Sequence, residues 1–310
     1  MENNQVQIVF LGGSTLDRVW NVDKLPSGGF KSKAHTYFEV GGGMAANAAV
    51  ASSRLGAKTH FWGRGGNDDI GMAMKYQLEQ YEVNCQFFKL IDGAKSPVSA
   101  VIVDDNGERM IINYPGTMHS QNCAWLPFYI LNKISAVQSD TRWLEGAKSL
   151  FEHAIALKIP TILDAEKSPT DSFLQILPLT DYAIFSATGL SNFAQGINLY
   201  NLTTIELLQK LAKDYNCRVV AVTNGDKGIT WIENQEIFTQ SSYKVKVVDT
   251  TGAGDVFHGA FTYGIANRYS TAKSMQIASA AAAIKCTHMG GRGGVPDLEE
   301  VLEFIDKNSL

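Results

Sequence analysis

The chain has 310 residues, 45% hydrophobic and 19% charged, which is ample for a large core built as one big domain or one domain with a small annex. A formal net charge of −4 with no long basic run argues against nucleic acid as a partner. The four cysteines (Cys85, Cys123, Cys217 and Cys286) form no CxxC pair and no zinc spacing, so they read as reduced thiols of a cytoplasmic protein. The polar start leads into a strand rather than a signal peptide, and no apolar run reaches membrane-spanning length.

In chain order, residues 6–11, VQIVFL, predict a buried strand that runs into GGSTLD at 12–17. A strand ending in glycines and a lone acid suits a ligand site at the carboxyl edge of an α/β sheet, although a solvated turn would look the same. Residues 18–40 alternate polar and apolar around a PSGG turn and predict a hairpin; PVSAVIVDDNGERMIINY at 97–114 predicts a second, turning at DDNG. Two hairpins set among βα units imply a small sheet outside the main fold. Between them, GGGMAANAAV at 41–50 combines glycines that permit close approach to a ligand with an alanine-rich helix. That pattern is also what a tight helix start against a strand would use. Asn47 favours the ligand reading, because a buried amide wants several hydrogen bonds and sugar hydroxyls would supply them. Residues 61–71 read as a strand-to-helix turn capped by Asp68 or Asp69.

From 120 to 240 helices and strands alternate. Helices are expected at 147–156 and 204–215, and strands at 161–164, 182–186 and 219–223. This rhythm predicts a mostly parallel sheet covered on both faces. TNGDKG at 223–228 reads as a hairpin turn into ITWI. An alanine-rich helix at 272–286, the loop GGRGGVP at 290–296 and an amphipathic helix at 298–304 complete the chain.

The densest chemical signal is VVDTTGAGDVFHGA at 247–260. Val245, Val247 and Val248 predict the end of a strand, TTGAG a small-residue turn, and the spacing from Asp255 onward a helix. Such a turn leaves backbone N–H groups free at the positive end of the helix dipole, a ready phosphate site. Asp255 by itself is equally a dipole-favouring first-turn acid or a proton acceptor beside that anion site.

DTTGAGDVFHGA resembles the signature of the ribokinase-like sugar kinases, the PfkB family, and the likeness extends from about residue 6 to the end. The resemblance implies a single domain over 1–310. Its body would be a three-layer α/β/α sandwich with a mostly parallel central sheet, under a small β-sheet lid formed by about 18–40 and 96–115. It implies Asp255 as catalytic base, with the backbone of Gly252, Ala253 and Gly254 as anion hole. Asp17, Gly42, Gly43 and Asn47 would hold the sugar. Thr223, Gly225, Gly228 and Thr251, with Gly252 and Gly254, would lie at the nucleotide phosphates, and the 290–296 loop near the adenine. ATP and Mg²⁺ are the implied cofactors, a small sugar the partner, and a homodimer through the lid the implied assembly.

The family's N-x-x-E after the strand at 182–186 is replaced here by Ser186-Ala187-Thr188-Gly189. Metal ligands carried over from the family are thereby put in doubt. Magnesium then falls to the ATP phosphates, water and other acids, Asp164 or Glu166 among them. DTRW at 140–143, IINYP at 111–115, AKS at 94–96, GER at 107–109 and IKCT at 284–287 together resemble the sulfofructose-kinase branch, which phosphorylates 6-deoxy-6-sulfofructose at O1. Lys31, Asn113 and Arg142 fall on that branch's sulfonate-holding positions. Two cations and an amide suit a fixed anion with three acceptor oxygens. Separately, Lys31 reads as an ordinary solvated lysine and Arg142 as half of an ion pair. The rival functions are a fructokinase, ketohexokinase or ribokinase on a neutral sugar, a kinase of a sugar phosphate, and a non-catalytic sugar or nucleotide sensor. A Rossmann dehydrogenase fails, since no GxGxxG follows the first strand.

Overall fold

The protein was analysed as a computed structural model, which describes residues 5–29, 31–117 and 120–308. The first half of the chain runs β1 (Gln7–Leu11), β2 (Thr15–Val22), β3 (Thr36–Gly42), α1 (Met44–Arg54), β4 (Lys58–Gly66), α2 (Asp69–Glu79), β5 (Phe88–Ile91), β6 (Val98–Asp104), β7 (Arg109–Tyr114), β8 (Ala136–Ser139) and α3 (Leu144–Ala156). It continues through β9 (Thr161–Ala165), α4 (Thr170–Ile176), β10 (Tyr182–Ser186), α5 (Ala187–Gly196), α6 (Thr204–Tyr215), β11 (Val219–Thr223), β12 (Ile229–Glu233) and β13 (Glu236–Gln240). Helices α7 (Ala253–Ala266), α8 (Thr271–Lys285) and α9 (Leu298–Asn308) follow.

Strands β8 and β9 are buried along their whole length, and β1, β10 and β11 all but one residue. Burial on both faces is the signature of strands in a parallel sheet with helices above and below. They lie in a nine-stranded sheet ordered β13-β12-β11-β10-β9-β8-β1-β4-β5, antiparallel only where β11, β12 and β13 meet. One apolar layer joins alternate strand residues such as Ile8, Phe10 and Ile184 to α1, α7, α8 and α9. The other joins Val9, Leu11 and Phe185 to α3, α4, α5 and α6. The chain leaves β1 toward β4 on one side and returns to build β8, β9 and β10 on the other, so the carboxyl ends of β1 and β8 flank a switch in winding direction. Ligands bind at such crevices in open α/β sheets.

The two predicted hairpins form a separate four-stranded sheet ordered β3-β2-β6-β7. Asp17 belongs to it: the sequence suggested a turn at the edge of the main sheet, but Asp17 is the third residue of β2, paired with Val40 of β3 and Ser99 of β6. β1 ends at Leu11, and only three residues of turn separate it from the second sheet.

The expected strand ending at Val248 is absent. The main sheet stops at β13, and the segment after Gln240 is irregular, with Val247 57% and Val248 45% exposed. Its backbone is instead tied to α8, because the N–H groups of Val248 and Asp249 both donate to the Cys286 carbonyl, at 2.8 and 3.1 Å. β-branched residues favour strands only where a neighbouring strand gives them a surface.

Helix α7 is buried from Val256 to Ala266 and lies against both α1 and α8. The approach to α1 is so close that a Cβ on Gly259 would stand 2.2 Å from the Ala48 carbonyl oxygen. Gly259→Ala is therefore expected to destabilise the protein by about 1–3 kcal/mol, as overpacking does. Urea denaturation reads it; an unchanged midpoint would mean that α1 and α7 separate freely.

Candidate active site

Asp140, directly after β8, is the hub beneath the site. Its carboxylate accepts from the backbone N–H of Gly13 at 2.8 Å, Arg142 at 2.8 Å and Ala45 at 3.2 Å. It thereby joins the end of β1, the turn after β8 and the start of α1. Gly12 must lack a side chain, since a Cβ there would fall 2.4 Å from the Asp140 carboxyl carbon. Gly43 has φ 95 and faces the Gly13 carbonyl oxygen, which a Cβ would approach to 2.6 Å. Gly42 lies under the Asp17 carboxylate, 2.3 Å from where its Cβ would be. Gly42 thus lets β3 pass close under Asp17, and Gly43 lets the start of α1 pass close to the Gly13–Ser14 backbone.

Asp17 is bonded to Ser99, and Ser99 accepts from the Asn113 amide at 3.2 Å, so Asp17, Ser99 and Asn113 form one row across β2, β6 and β7. Burial raises the Asp17 pKa, and Ser99 and the charge of Arg292 oppose it.

Asn47, 4% exposed, donates from Nδ2 to Asp255 Oδ2 at 2.7 Å. Its Oδ1 accepts from Arg292 Nε at 2.9 Å. A buried arginine therefore fixes which way the Asn47 amide faces, and that amide faces Asp255. Arg292 sits in the 290–296 loop, where the likeness suggested a place near the adenine. Its side chain reaches Asn47 and the space under Gly41, beside Asp17. A single charge inside a glycine run was the signal for it; Asp140, after the half-polar strand AVQS, gave none as clear.

Asp255 opens α7. Burial pushes its carboxyl up to about 7, the nearby Asp164 charge adds to this, and the Asn47 hydrogen bond opposes it. Asp164, 3% exposed at the end of β9, is raised well above its ordinary value by burial, then by the charges of Asp140 and Glu166. His258, one turn into α7, has Nδ1 2.8 Å from the Gly254 carbonyl and Nε2 3.5 Å from Asp164 Oδ1; burial lowers its pKa.

The turn before α7 is left-handed at Gly252, φ 75, where a Cβ would meet the Gly291 carbonyl oxygen at 2.6 Å. The Ala253 N–H donates to the Thr250 carbonyl at 3.2 Å, so Ala253 is spent on the turn itself. The N–H groups of Gly252, Gly254 and Asp255 have no partner among the described residues. Gly254 is exposed, with nothing near its Cβ position. Thr251 gives both its N–H, at 2.8 Å, and its hydroxyl, at 2.7 Å, to Asp249 Oδ1. From the second sheet Arg109 reaches the same turn, bonding Thr250 Oγ1 at 3.1 Å, Thr251, and Asp249 at 3.4 Å.

Thr223 ends β11, and Gly225, φ 57, and Gly228, φ 86, shape the hairpin into β12, at the same edge of the sheet as β10. At the end of β10, Ser186 caps α5 and donates to Glu166 Oε1 at 2.8 Å, bringing the acid that follows β9 to the place of the missing N-x-x-E.

Arg142 is exposed beside Gly13, and its Nη2 is 3.8 Å from Met44 Sδ; it makes no ion pair among the described residues. Lys31 is exposed in the β2–β3 connection, with no polar contact to Asn113 or Arg142 among the described residues. The structure thus gathers Asp17, Gly42, Gly43, Asn47, Asn113, Arg142 and Asp255, and leaves Lys31 apart. Among the described residues, the acids and histidines with metal-ligand spacing are Asp23, His35 and Asp105, all exposed in the connections at the ends of β2, β3 and β6.

A mostly parallel sheet, a second sheet over its carboxyl edge and a glycine turn opening a buried helix define a ribokinase-like α/β kinase. The pfkB family carbohydrate kinase pattern matches residues 6–298, and the chain belongs to that family of phosphotransferases. It is 26% identical over 306 residues to the ribokinase of Bacillus subtilis, covering 96% of this chain and 99% of that one. It is 23% identical over 302 residues to the ATP-dependent ribose-1-phosphate kinase of Halopiger xanaduensis, covering 97% and 99%. The ribokinase of Thermotoga maritima superposes with a TM-score of 0.84 at 25% identity over 97% of this chain and 99% of that one. The Arabidopsis thaliana ribokinase complexed with ribose and ATP shares the fold, with a TM-score of 0.83 at 23% identity over 97% and 98%. Among the described residues no helix is long and apolar enough to cross a membrane.

Proposed function

We propose that this sugar kinase transfers the γ-phosphoryl group of ATP to O1 of 6-deoxy-6-sulfofructose, as one kinase domain with the second sheet as lid and lid-to-lid dimer contact. Asp255 carries the chemistry. Asn47 holds its carboxylate, and burial sets its basicity near neutrality. It takes the proton of the attacking hydroxyl as oxygen bonds to the γ-phosphorus and the bond to ADP breaks. The N–H groups of Gly252, Gly254 and Asp255 face the transferred group, at the positive end of a 14-residue helix. Asp17, Gly42, Gly43 and Asn47 line the sugar, and Thr223, Gly225, Gly228 and Thr251 lie toward the nucleotide.

Mg²⁺ neutralises the phosphates when bound. Among the described residues the acids beside Asp255 are not spaced as a direct ligand set, so the ATP phosphates and water would hold the ion, and Asp164 or Glu166 would act on it through water.

The observation that carries the sulfonated substrate is Arg142, an exposed guanidinium at the rim of the sugar crevice that makes no ion pair among the described residues, although its charge is felt by buried Asp140 and Asp164. Asn113, in the row with Asp17, adds a directed donor. Lys31 joins them only if its connection folds over the bound sugar. The test is initial phosphorylation rate with ATP and Mg²⁺ on 6-deoxy-6-sulfofructose, fructose, fructose 6-phosphate and ribose. Preference for the sulfonated sugar is expected. Preference for ribose or fructose would establish a neutral-sugar kinase, and absence of turnover with ATP still bound would establish a sensor.

A further inference from the structure

Lys285 is the last residue of α8 and is fully buried. A buried ammonium is costly unless its donors are matched. Its Nζ donates to the Asp249 carbonyl oxygen at 2.8 Å and lies 3.5 Å from the carbonyl of His288. Burial lowers its pKa, and the charge of Asp249 opposes this.

The acceptor is the informative part. Lysines near a helix end commonly bond their own helix's carbonyls. Lys285 reaches instead into the segment that enters the turn before α7. That segment is held from the same side by three other bonds: the N–H groups of Val248 and Asp249 to the Cys286 carbonyl, and the Gly290 N–H to Asp249 Oδ2 at 2.8 Å. Asp249 in turn fixes Thr251 through both its N–H and its hydroxyl, and Gly252 follows directly. An apolar residue at 285 would fill the space and leave a strong carbonyl acceptor unpaired.

We propose that Lys285 is a positioning residue for phosphoryl transfer, an internal ammonium that gathers the carbonyls of residues 249 and 288 and so aims the Gly252 and Gly254 N–H groups. The inference rests on the reading of that turn as the anion site. It assigns the fixed cation behind the turn, in addition to the arginine in front of it.

The test compares Lys285→Ala and Lys285→Met with wild type, with and without methylammonium or propylammonium at constant ionic strength. Both variants should lose at least ~10-fold in kcat, since a small misplacement of anion-hole donors forfeits much of their effect. KM for the sugar should hardly move. Propylammonium replaces the atoms that Ala lacks. It should restore Lys285→Ala in a saturable way, and stimulate neither wild type nor Lys285→Met, whose side chain fills the space. Wild-type kcat in both variants would overturn the proposal, and so would a folded Lys285→Ala whose loss no amine restores. If Lys285→Ala does not fold, Lys285→Met decides: slow turnover at unchanged sugar KM supports the role, and normal turnover or failure to fold removes it. Failure of the underlying reading looks different. Gly254→Val, whose side chain would stand over the turn, would then keep its turnover whatever Lys285 does.

Discussion

Asp255→Asn is expected to cut kcat by at least ~10²-fold, the usual loss when a general base is removed, while ATP binding stays nearly intact. Asparagine keeps the size of the side chain and can still accept from Asn47, so the loss would report proton transfer rather than collapse of the site. The pH dependence follows from the same environment. A base works only when deprotonated, and burial with the Asp164 charge brings this carboxyl up to about 7. Turnover should therefore fall below about pH 7, approaching tenfold per pH unit, and the Asn variant should lack that limb. Stability should move the opposite way. A carboxyl raised from 3.8 to about 7 binds its proton more tightly in the folded state. Its contribution to stability is complete below pH 3.8 and is lost as pH rises through about 7. Asp255→Asn should thus melt above wild type at pH 8, with the difference shrinking toward pH 4. Near-normal turnover, or a melting difference that grows on acidification, would remove Asp255 from the role of base.

Arg142→Met is expected to lower kcat/KM for 6-deoxy-6-sulfofructose by about 10- to 150-fold, the equivalent of about 1.5–3 kcal/mol for a hydrogen bond to a charged group. Rates with fructose and ribose should stay as they are. The discrimination arises because Arg142 is exposed at the rim, beside Gly13 and Met44, with its guanidinium outside any ion pair among the described residues. Methionine retains much of the stem, so contact with Met44 survives while charge and directed donors go. A structural arginine would lower stability and all sugars together. A melting curve on the same variant separates that outcome from a loss confined to the anionic substrate.

The sequence by itself determined the repeated βα units, because strands buried along all or nearly all their length, such as those at 161–165 and 182–186, cannot hide their apolar character. It determined the turn before α7 as well, since three small residues and an acid opening an apolar helix are a local pattern. It also determined the two hairpins, whose alternation and turn residues are local. What only the tertiary structure decided were partners distant in the chain. Asn47 was legible as a buried amide, but its turn toward Asp255 depends on Arg292, 245 residues away. Asp17 was legible as a site acid, but its place in the second sheet depends on pairing with Val40 and Ser99. The valines at 245–248 had the composition of a strand and no neighbour to pair with, and Cys286 took their backbone instead. Asp140 and Lys285 looked like ordinary charged residues until folding placed one beneath three backbone N–H groups and the other behind the turn. Local pattern fixes which residues are buried and where the chain bends. Which buried charge meets which backbone group is settled only when the layers close and every desolvated donor needs an acceptor.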